Sequence, residues 1–380
     1  MIEALNRNAV DVLPAGGLEE KLKLGRPLRV KLGIDVTAPN VTLGNGVPLQ
    51  RMAAFQREGH IGVLIIGDYT TRIGDPSGRS AERPILSDEE IDRNARRFVD
   101  QASTIIDRDR TEIRFNSEWL SKLDFAEILR LTRTTTVAQI LERDDFSKRL
   151  EAREPISVSE LLYPLMQAYD SVAVRADVEL GGTDQLYNIL MGREVMSAYG
   201  IEPQIALTVR YLDSWDGLGM SASRGNYIGL REEAEEQFGK TMRIPDSLLR
   251  QWYELLVERD VPDGDPMQAK LELARWIVAR SHGEEAARAA EAHFTRVVRE
   301  GQAPEEVAET PLPDGDPVHL PAALAAAFGL STSEARRLIV QGGVRFDGEV
   351  VRELDVDRAI LSKATVQAGK RRFTRFRETG

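Results

Sequence analysis

The run IGVLIIG at Ile61–Gly67 constrains this chain more than any other feature. A stretch apolar at every position cannot lie half-exposed in an antiparallel sheet, where alternate residues face water. It reads as a strand buried on both faces. Leu28–Ile34 (LRVKLGI) reads as a strand before it. Between the two, Gly44–Glu58 (GNGVPLQRMAAFQRE) has helical spacing, and Asp88–Asp107 reads as a long helix after them. Strand, helix, strand, helix implies an α/β architecture, a parallel sheet covered by helices on both faces. In such sheets ligands bind beyond the carboxyl ends of the strands, so chemistry-bearing residues belong there.

The rest of the chain is organised differently. From Arg231 to about Gln302 the pattern is nearly all helical, with apolar residues three and four apart in WYELLVERD and AKLELARWIVAR. Ala303–Pro317 is rich in proline and acid and reads as a linker. A compact tail follows: a helical piece (STSEARRLIVQGG), then short alternating runs (VRFDGEV, KATVQAGKRRFTRF) in which Asp347-Gly348 signals a hairpin. Charge separates the tail from the body. Ser331–Gly380 holds 11 Lys+Arg and 7 Asp+Glu, a net of +4 against −11 for the whole chain, which leaves the remainder at −15. A basic end on an acidic body suits a polyanion partner, and equally a solvated surface. The chain has no cysteine, which excludes disulfides, thiolate metal sites and a cysteine nucleophile. No stretch reaches the roughly 18 consecutive apolar residues of a membrane span. The start shows no signal-peptide pattern, so a cytoplasmic protein is expected.

Four segments fall where strand ends meet helix starts. The first runs from Gly33 through Asp35 and Thr37 to Thr42-Leu43-Gly44-Asn45, where amides at a helix N-terminus can face an anion. The second is Gly74-Asp75-Pro76-Ser77-Gly78-Arg79, with Arg83 beyond it. The third holds Tyr163, Gln167 and Asp170, spaced four and three apart and so on one helix face, followed by Gly181-Gly182-Thr183-Asp184-Gln185. The fourth is Gly219-Met220-Ser221-Ala222-Ser223, then Gly225-Asn226. Each alone is most simply a turn or a half-buried helix face. Their joint order and spacing are more telling.

In KLGIDVTAPN, GDPSGRS, NSEWL, LERDDFSKRL, YPLMQAYDSV, ADVELGGTDQ and GNYIGL the sequence resembles the bacterial tyrosyl-tRNA synthetases, class I enzymes with a Rossmann-type catalytic domain. The tail SEARRLIVQGGVRFDGEVV is similar to their small alpha-L RNA-binding domain. The resemblance implies a catalytic domain over 1–230, a helical anticodon-binding-like domain over 231–302, the linker 303–317 and an RNA-binding domain over 318–380. It implies a homodimer formed through roughly 110–180. Tyr163, Gln167 and Gln185 would surround the amino and carboxyl groups of tyrosine, Asp75 would help hold its ammonium, and Asp170 would accept from its phenolic hydroxyl. Asp35 and Thr37 would line the floor and the phosphate path. Gly33, Gly44, Gly181, Gly182, Asp184 and Met220 would meet the nucleotide, Asp184 at a ribose hydroxyl. Thr42, Asn45, Arg79, Arg83, Ser221 and Ser223 would stand at the reacting phosphates. Arg336, Arg337, Arg345, Lys370, Arg371 and Arg372 would contact tRNA. ATP with Mg2+ would be needed for activation, and no structural metal is implied.

The sequence departs from the family at its two catalytic signatures. His-Ile/Leu-Gly-His is replaced by Thr42-Leu43-Gly44-Asn45, and Lys-Met-Ser-Lys-Ser by Gly219-Met220-Ser221-Ala222-Ser223. The amino-acid and ribose residues are kept while the triphosphate-handling ones are not. Three functions follow from this: a tyrosine–tRNA ligase with impaired activation; a paralogue that uses aminoacyl-tRNA or an aminoacyl-adenylate as acyl donor for amide formation; and a non-catalytic tyrosine- or tRNA-binding regulator.

Overall fold

The structure is a computed structural model that describes residues 1–75, 86–300, 303–304, 307–369 and 372–378. The described chain divides into two compact units, Met1–Glu232 with Arg243–Lys270, and Glu233–Met242 with Leu271–Gly380.

The first unit is built on a six-stranded sheet in the order β1-β6-β5-β2-β3-β4. Its strands are β1 (Ala9–Leu13), β2 (Arg29–Ile34), β3 (Ile61–Ile66), β4 (Thr111–Phe115), β5 (Val178–Gly182) and β6 (Ile205–Val209). β1 runs antiparallel to β6, and every other pairing is parallel. The expectation for the apolar run holds: Val63, Leu64, Ile65 and Ile66 are completely buried, with β2 on one side and β4 on the other. Helices Leu43–Arg57 and Asp88–Ala102 follow β2 and β3, as their spacing predicts, the second ending five residues sooner than expected. Chain order runs outward from β2 through β3 to β4 on one side, and from β5 to β6 on the other. The direction therefore reverses between β2 and β5, and the crevice at their carboxyl ends is where such sheets bind ligands. Asp35 follows β2, and Gly181 and Gly182 close β5, so the sequence-predicted residues flank that crevice.

In the second unit, helices Ala234–Thr241 and Glu284–Phe294, with the part of helix Pro266–His282 from Leu271 onward, pack Phe238, Leu271, Ala274, Val278, Ala287 and Ala290 together. The tail has its own core around Leu320, Leu324, Ala335, Ile339, Val344, Val366 and Phe376. Val344–Phe346 and Glu349–Val350 form the expected hairpin, with Asp347 at φ 47° and Gly348 at φ 92° in its turn. Part of the stretch read as a linker is instead ordered: Glu309–Pro311 adds a parallel edge strand to Arg372–Arg377. An edge position tolerates Pro311, which has no amide to donate. No helix among the described residues is long and apolar enough to cross a membrane.

Candidate active site

The helix Val158–Val174 carries Tyr163, Gln167 and Asp170 on one face, and each side chain reaches a different partner. The Asp170 carboxylate, 3% exposed, accepts from Trp119 Nε1 at 2.7 Å and from Asn116 Nδ2 at 3.4 Å. Asn116 also donates to Thr70 Oγ1 at 3.0 Å, Thr70 donates to Asp35 Oδ1 at 2.8 Å, and Tyr163 donates to Asp35 Oδ2 at 3.1 Å. Asp35, Tyr163 and Asp170 are thus members of one hydrogen-bonded chain. Gly67 makes room for it, because a Cβ there would stand 2.3 Å from Asp35 Oδ1 and 2.5 Å from Thr70 Oγ1.

A second chain runs beside the first. Gln185 Nε2 donates to Asp75 Oδ2 at 2.7 Å, and Asn188 Nδ2 bridges Gln185 Oε1 at 3.1 Å to Gln167 Oε1 at 3.0 Å. Gln167 Nε2 donates to Glu179 Oε1 at 3.2 Å. Glu179 is paired with Lys31 at 2.9 Å, and both are buried, at 1% and 0% exposure. Lys31 also donates to Ser171 Oγ at 2.7 Å and to the Gln167 carbonyl at 3.0 Å. An ion pair this deep is tolerable because its remaining donors and acceptors are satisfied.

The electrostatics follow from this packing. Burial pushes the Asp170 carboxyl up to about 7, and the Lys31 charge and the bonds from Trp119 and Asn116 hold it from rising further.

The signature positions are arranged differently. Thr42 caps the helix Leu43–Arg57, its Oγ1 accepting from the Asn45 amide at 3.1 Å. Asn45 Oδ1 in return accepts from the Thr42 amide at 3.0 Å and the Thr42 hydroxyl at 2.9 Å. This reciprocal capping box satisfies the helix end from within. The Leu43 amide donates to the Ile228 carbonyl and the Gly46 amide to the Thr42 carbonyl. Three of the first four amides of the helix (Leu43, Asn45 and Gly46) are therefore already bonded. An anion at that terminus would have little left to bind.

The second signature lies alongside. Met220 is buried against Gly44, where a Cβ would come within 3.4 Å of the Met220 Cβ. The Ser221 amide donates to Asn226 Oδ1 at 3.0 Å, Ser221 and Ser223 hydroxyls stand 3.0 Å apart, and Asn226 Nδ2 donates to both Asp216 oxygens. The loop is held by neutral groups and one exposed carboxylate. Gly33 and Thr37 stand at the end of β2, Gly33 exposed and Thr37 half-buried. Arg79 and Arg83 lie outside the described residues, as do Lys370 and Arg371.

Asp184 follows β5 and accepts from the hydroxyl of Tyr211. Loss of solvation raises its carboxyl above the usual range, with the Tyr211 bond opposing and the Asp75 charge adding to it, an effect that solvent screens because the residue is exposed. Arg336, Arg337, Arg345 and Arg372 are exposed on the tail. Sequence reasoning missed Trp119, Asn116, Lys31, Glu179, Asn188 and Tyr211. Tyr211 carried a usable signal, since it stands two residues beyond the fully buried strand IALTV, at the carboxyl end where ligands bind.

Comparison with known proteins shows the family and the fold. The family model for class I tRNA synthetases (W and Y) covers residues 23–308. A tyrosine–tRNA ligase of Moorella thermoacetica is 45% identical over 99% of this chain and 95% of its own length. One from Thermotoga maritima is 43% identical over 99% and 96%. The chain belongs to the class I tRNA synthetases of this W and Y family. Solved structures show the same fold: a truncated mitochondrial tyrosyl-tRNA synthetase of Aspergillus nidulans (TM-score 0.64, 22% identity, 77% of this chain and 91% of that one) and the L-tyrosine complex from Archaeoglobus fulgidus (0.62, 21%, 76% and 98%). Among the described residues no cluster of three or more His, Asp or Glu side chains could hold a metal.

Proposed function

We propose that this synthetase binds tyrosine through Asp170, Tyr163, Gln167, Gln185 and Asp75, binds adenosine at Gly181, Gly182 and Asp184, and charges tRNA by an activation step that runs slowly. The observation that carries the reading is the buried acceptor Asp170, fixed by Trp119 and Asn116 at the foot of an otherwise satisfied polar network. Activation joins the tyrosine carboxylate to the α-phosphorus of ATP and expels pyrophosphate, and a tRNA terminal hydroxyl then takes the acyl group from AMP. No proton need leave the tyrosine carboxylate. The protein's part is to hold the two reactants in line and to stabilise charge growing on the departing phosphates. Magnesium enters this scheme on the phosphates of ATP. Each donor removed from such a transition state slows the step by roughly a hundred to a thousand-fold. Thr42 and Asn45 are turned onto each other, and Gly219 and Ala222 offer no charge.

A second reading draws on that same capping box. A site that keeps amino-acid and ribose contacts without phosphate donors suits aminoacyl-tRNA, or a preformed adenylate, as an acyl donor to an amine. Amino-acid-dependent ATP–pyrophosphate exchange, run with all twenty amino acids, separates the two. Exchange with tyrosine alone supports slow ligation. Silence with tyrosine still bound by calorimetry moves the activity to charged tRNA, tested by aminolysis with candidate amines. Binding without turnover in either assay leaves a regulator.

The reading includes a homodimer and a tRNA-binding tail. Phe125 (74% exposed), Val137, Leu150 and Val158 (74%) are exposed apolar residues inside 110–180, as a covered interface requires. Light scattering giving twice the 42.4 kDa chain mass is the expected result. For the tail, Arg345, Arg375 and Arg377 share one sheet face, and Arg336→Ala with Arg345→Ala should weaken tRNA binding and flatten its salt dependence.

A further inference from the structure

Tyr211 stands where the proposed adenosine subsite should be open. It lies two residues beyond β6, the neighbour of β5, and its hydroxyl donates to Asp184. Its phenol end fills the space at Gly182: a Cβ on that glycine would stand 2.5 Å from Tyr211 Cζ and 2.6 Å from the hydroxyl oxygen. The backbone beneath is anchored, with Gln251 Nε2 donating to the Tyr211 carbonyl at 3.2 Å and the Met220 amide donating to the Leu212 carbonyl at 2.8 Å. The residue as a whole is 42% exposed, with its hydroxyl end tucked against Gly182 and Asp184, and so can rotate away without unpacking a core. Burial and the neighbouring Asp184 charge keep the phenol protonated, and hence a donor.

A phenol end in the space at Gly182, with its hydroxyl on the Asp184 carboxylate, takes up what a nucleoside there would need: the room beside the glycine and the acceptor for a ribose hydroxyl. We propose that Tyr211 is a specificity-determining residue that occupies the nucleoside subsite as an internal stand-in and must swing out before adenosine enters. Bare adenosine nucleotides are disfavoured, because they must displace a bonded tyrosine for contacts of the same kind. A ligand that joins an amino acid to adenosine is selected, because its amino-acid half gains the Asp170 network as well. The inference rests on the reading that Asp184 lines the nucleoside subsite.

The test is calorimetry of the full-length protein with adenosine and, separately, with tyrosine. Wild type is compared with Tyr211→Phe, Tyr211→Ala, Asp184→Asn and the double variant Tyr211→Ala, Asp184→Asn. Removing a competing hydrogen bond to a charged acceptor is worth about tenfold to a hundredfold, so Tyr211→Ala should bind adenosine tighter by that factor with tyrosine affinity unchanged. Tyr211→Phe, which keeps the ring and loses the hydroxyl, should fall between. If Tyr211→Ala binds adenosine no tighter than wild type while Asp184→Asn still weakens it, the subsite stands and the stand-in is refuted. If the Asp184 change leaves adenosine binding unaltered in the Tyr211→Ala background, or that variant binds tyrosine but no adenosine, the subsite reading has failed and this inference with it. Unchanged tyrosine affinity reports that each variant has folded, and Tyr211→Phe alone decides the matter should the alanine variant not fold.

Discussion

Two ends of one crevice have been treated in opposite ways. At the Asp170 end, charge is buried and fully partnered: Lys31 on Glu179, Asp170 under Trp119 and Asn116, Gln167 and Gln185 joined through Asn188. At the start of the helix Leu43–Arg57, the polar groups serve the helix itself, and the adjoining loop at Gly219–Ser223 carries no cation except what Arg224 brings just beyond it. A buried charged network persists only where every member is satisfied, and removing one member is costly. A helix start that caps itself has no such demand for an external ligand. On the proposed reading the difference separates holding an amino acid from driving phosphate chemistry, and it can be broken from either side.

The largest effect should come from returning charge to the poor end. Gly219→Lys with Ala222→Lys restores two donors, each worth roughly a hundred to a thousand-fold at a transition state, so tyrosine-dependent pyrophosphate exchange should rise by about ten-thousand-fold. No gain would mean that the deficit lies elsewhere, and the contrast between the ends would lose its functional meaning. The next effect is on the rich end. Lys31→Met leaves Glu179 buried without its partner and should cost about 3–5 kcal/mol of unfolding free energy in a denaturant titration. It should also push the Asp170 carboxyl higher still, since the Lys31 charge holds it down. A variant as stable as wild type would show that the pair is not the anchor of this network.

Asp170 itself gives a smaller, pH-dependent effect. Its carboxyl is raised to about 7, so between the ordinary carboxylate range and pH 7 the folded protein holds a proton that the unfolded chain releases. Stability from this group is therefore greatest at low pH and is lost as pH rises toward 7. Tyrosine binding runs the other way. The ionised carboxylate is the stronger acceptor for a phenol, so affinity should increase about fivefold to tenfold from pH 6 to pH 8, while phenylalanine shows no such trend. A flat tyrosine profile would remove the phenol from Asp170.

Much of this was legible in the sequence, for physical reasons that differ by element. The strand at 61–66 announced itself because burial on both faces demands an apolar residue at every position. The stripe of Tyr163, Gln167 and Asp170 was legible because helical spacing alone puts them on one face. Their partners were not, because Trp119, Asn116 and Glu179 come from segments far apart in the chain that only the sheet order brings together. The edge strand Glu309–Pro311 was hidden by its own composition: proline and acid resemble a linker unless a partner strand, here Arg372–Arg377, is known to lie beside them. Thr42 and Asn45 could be read as losses of histidine, while their mutual capping needed coordinates, although a cap residue followed three positions later by an amide side chain is a legible pattern.

That pattern sets the smallest test and the sharpest. If Thr42 serves the helix, Thr42→Ala should lower stability by about 1 kcal/mol, the ordinary cost of losing such a cap. In a unit of this size that is a melting shift of about 2–4 °C. Pyrophosphate exchange, measured on the same sample well below the transition, should stay within about twofold of wild type, because a hydroxyl bonded to Asn45 has no donor left for a phosphate. A drop in exchange of a hundredfold with an unchanged melting point would reverse the assignment. Thr42 would then leave its cap in the reacting complex, and the helix start would belong to the chemistry after all.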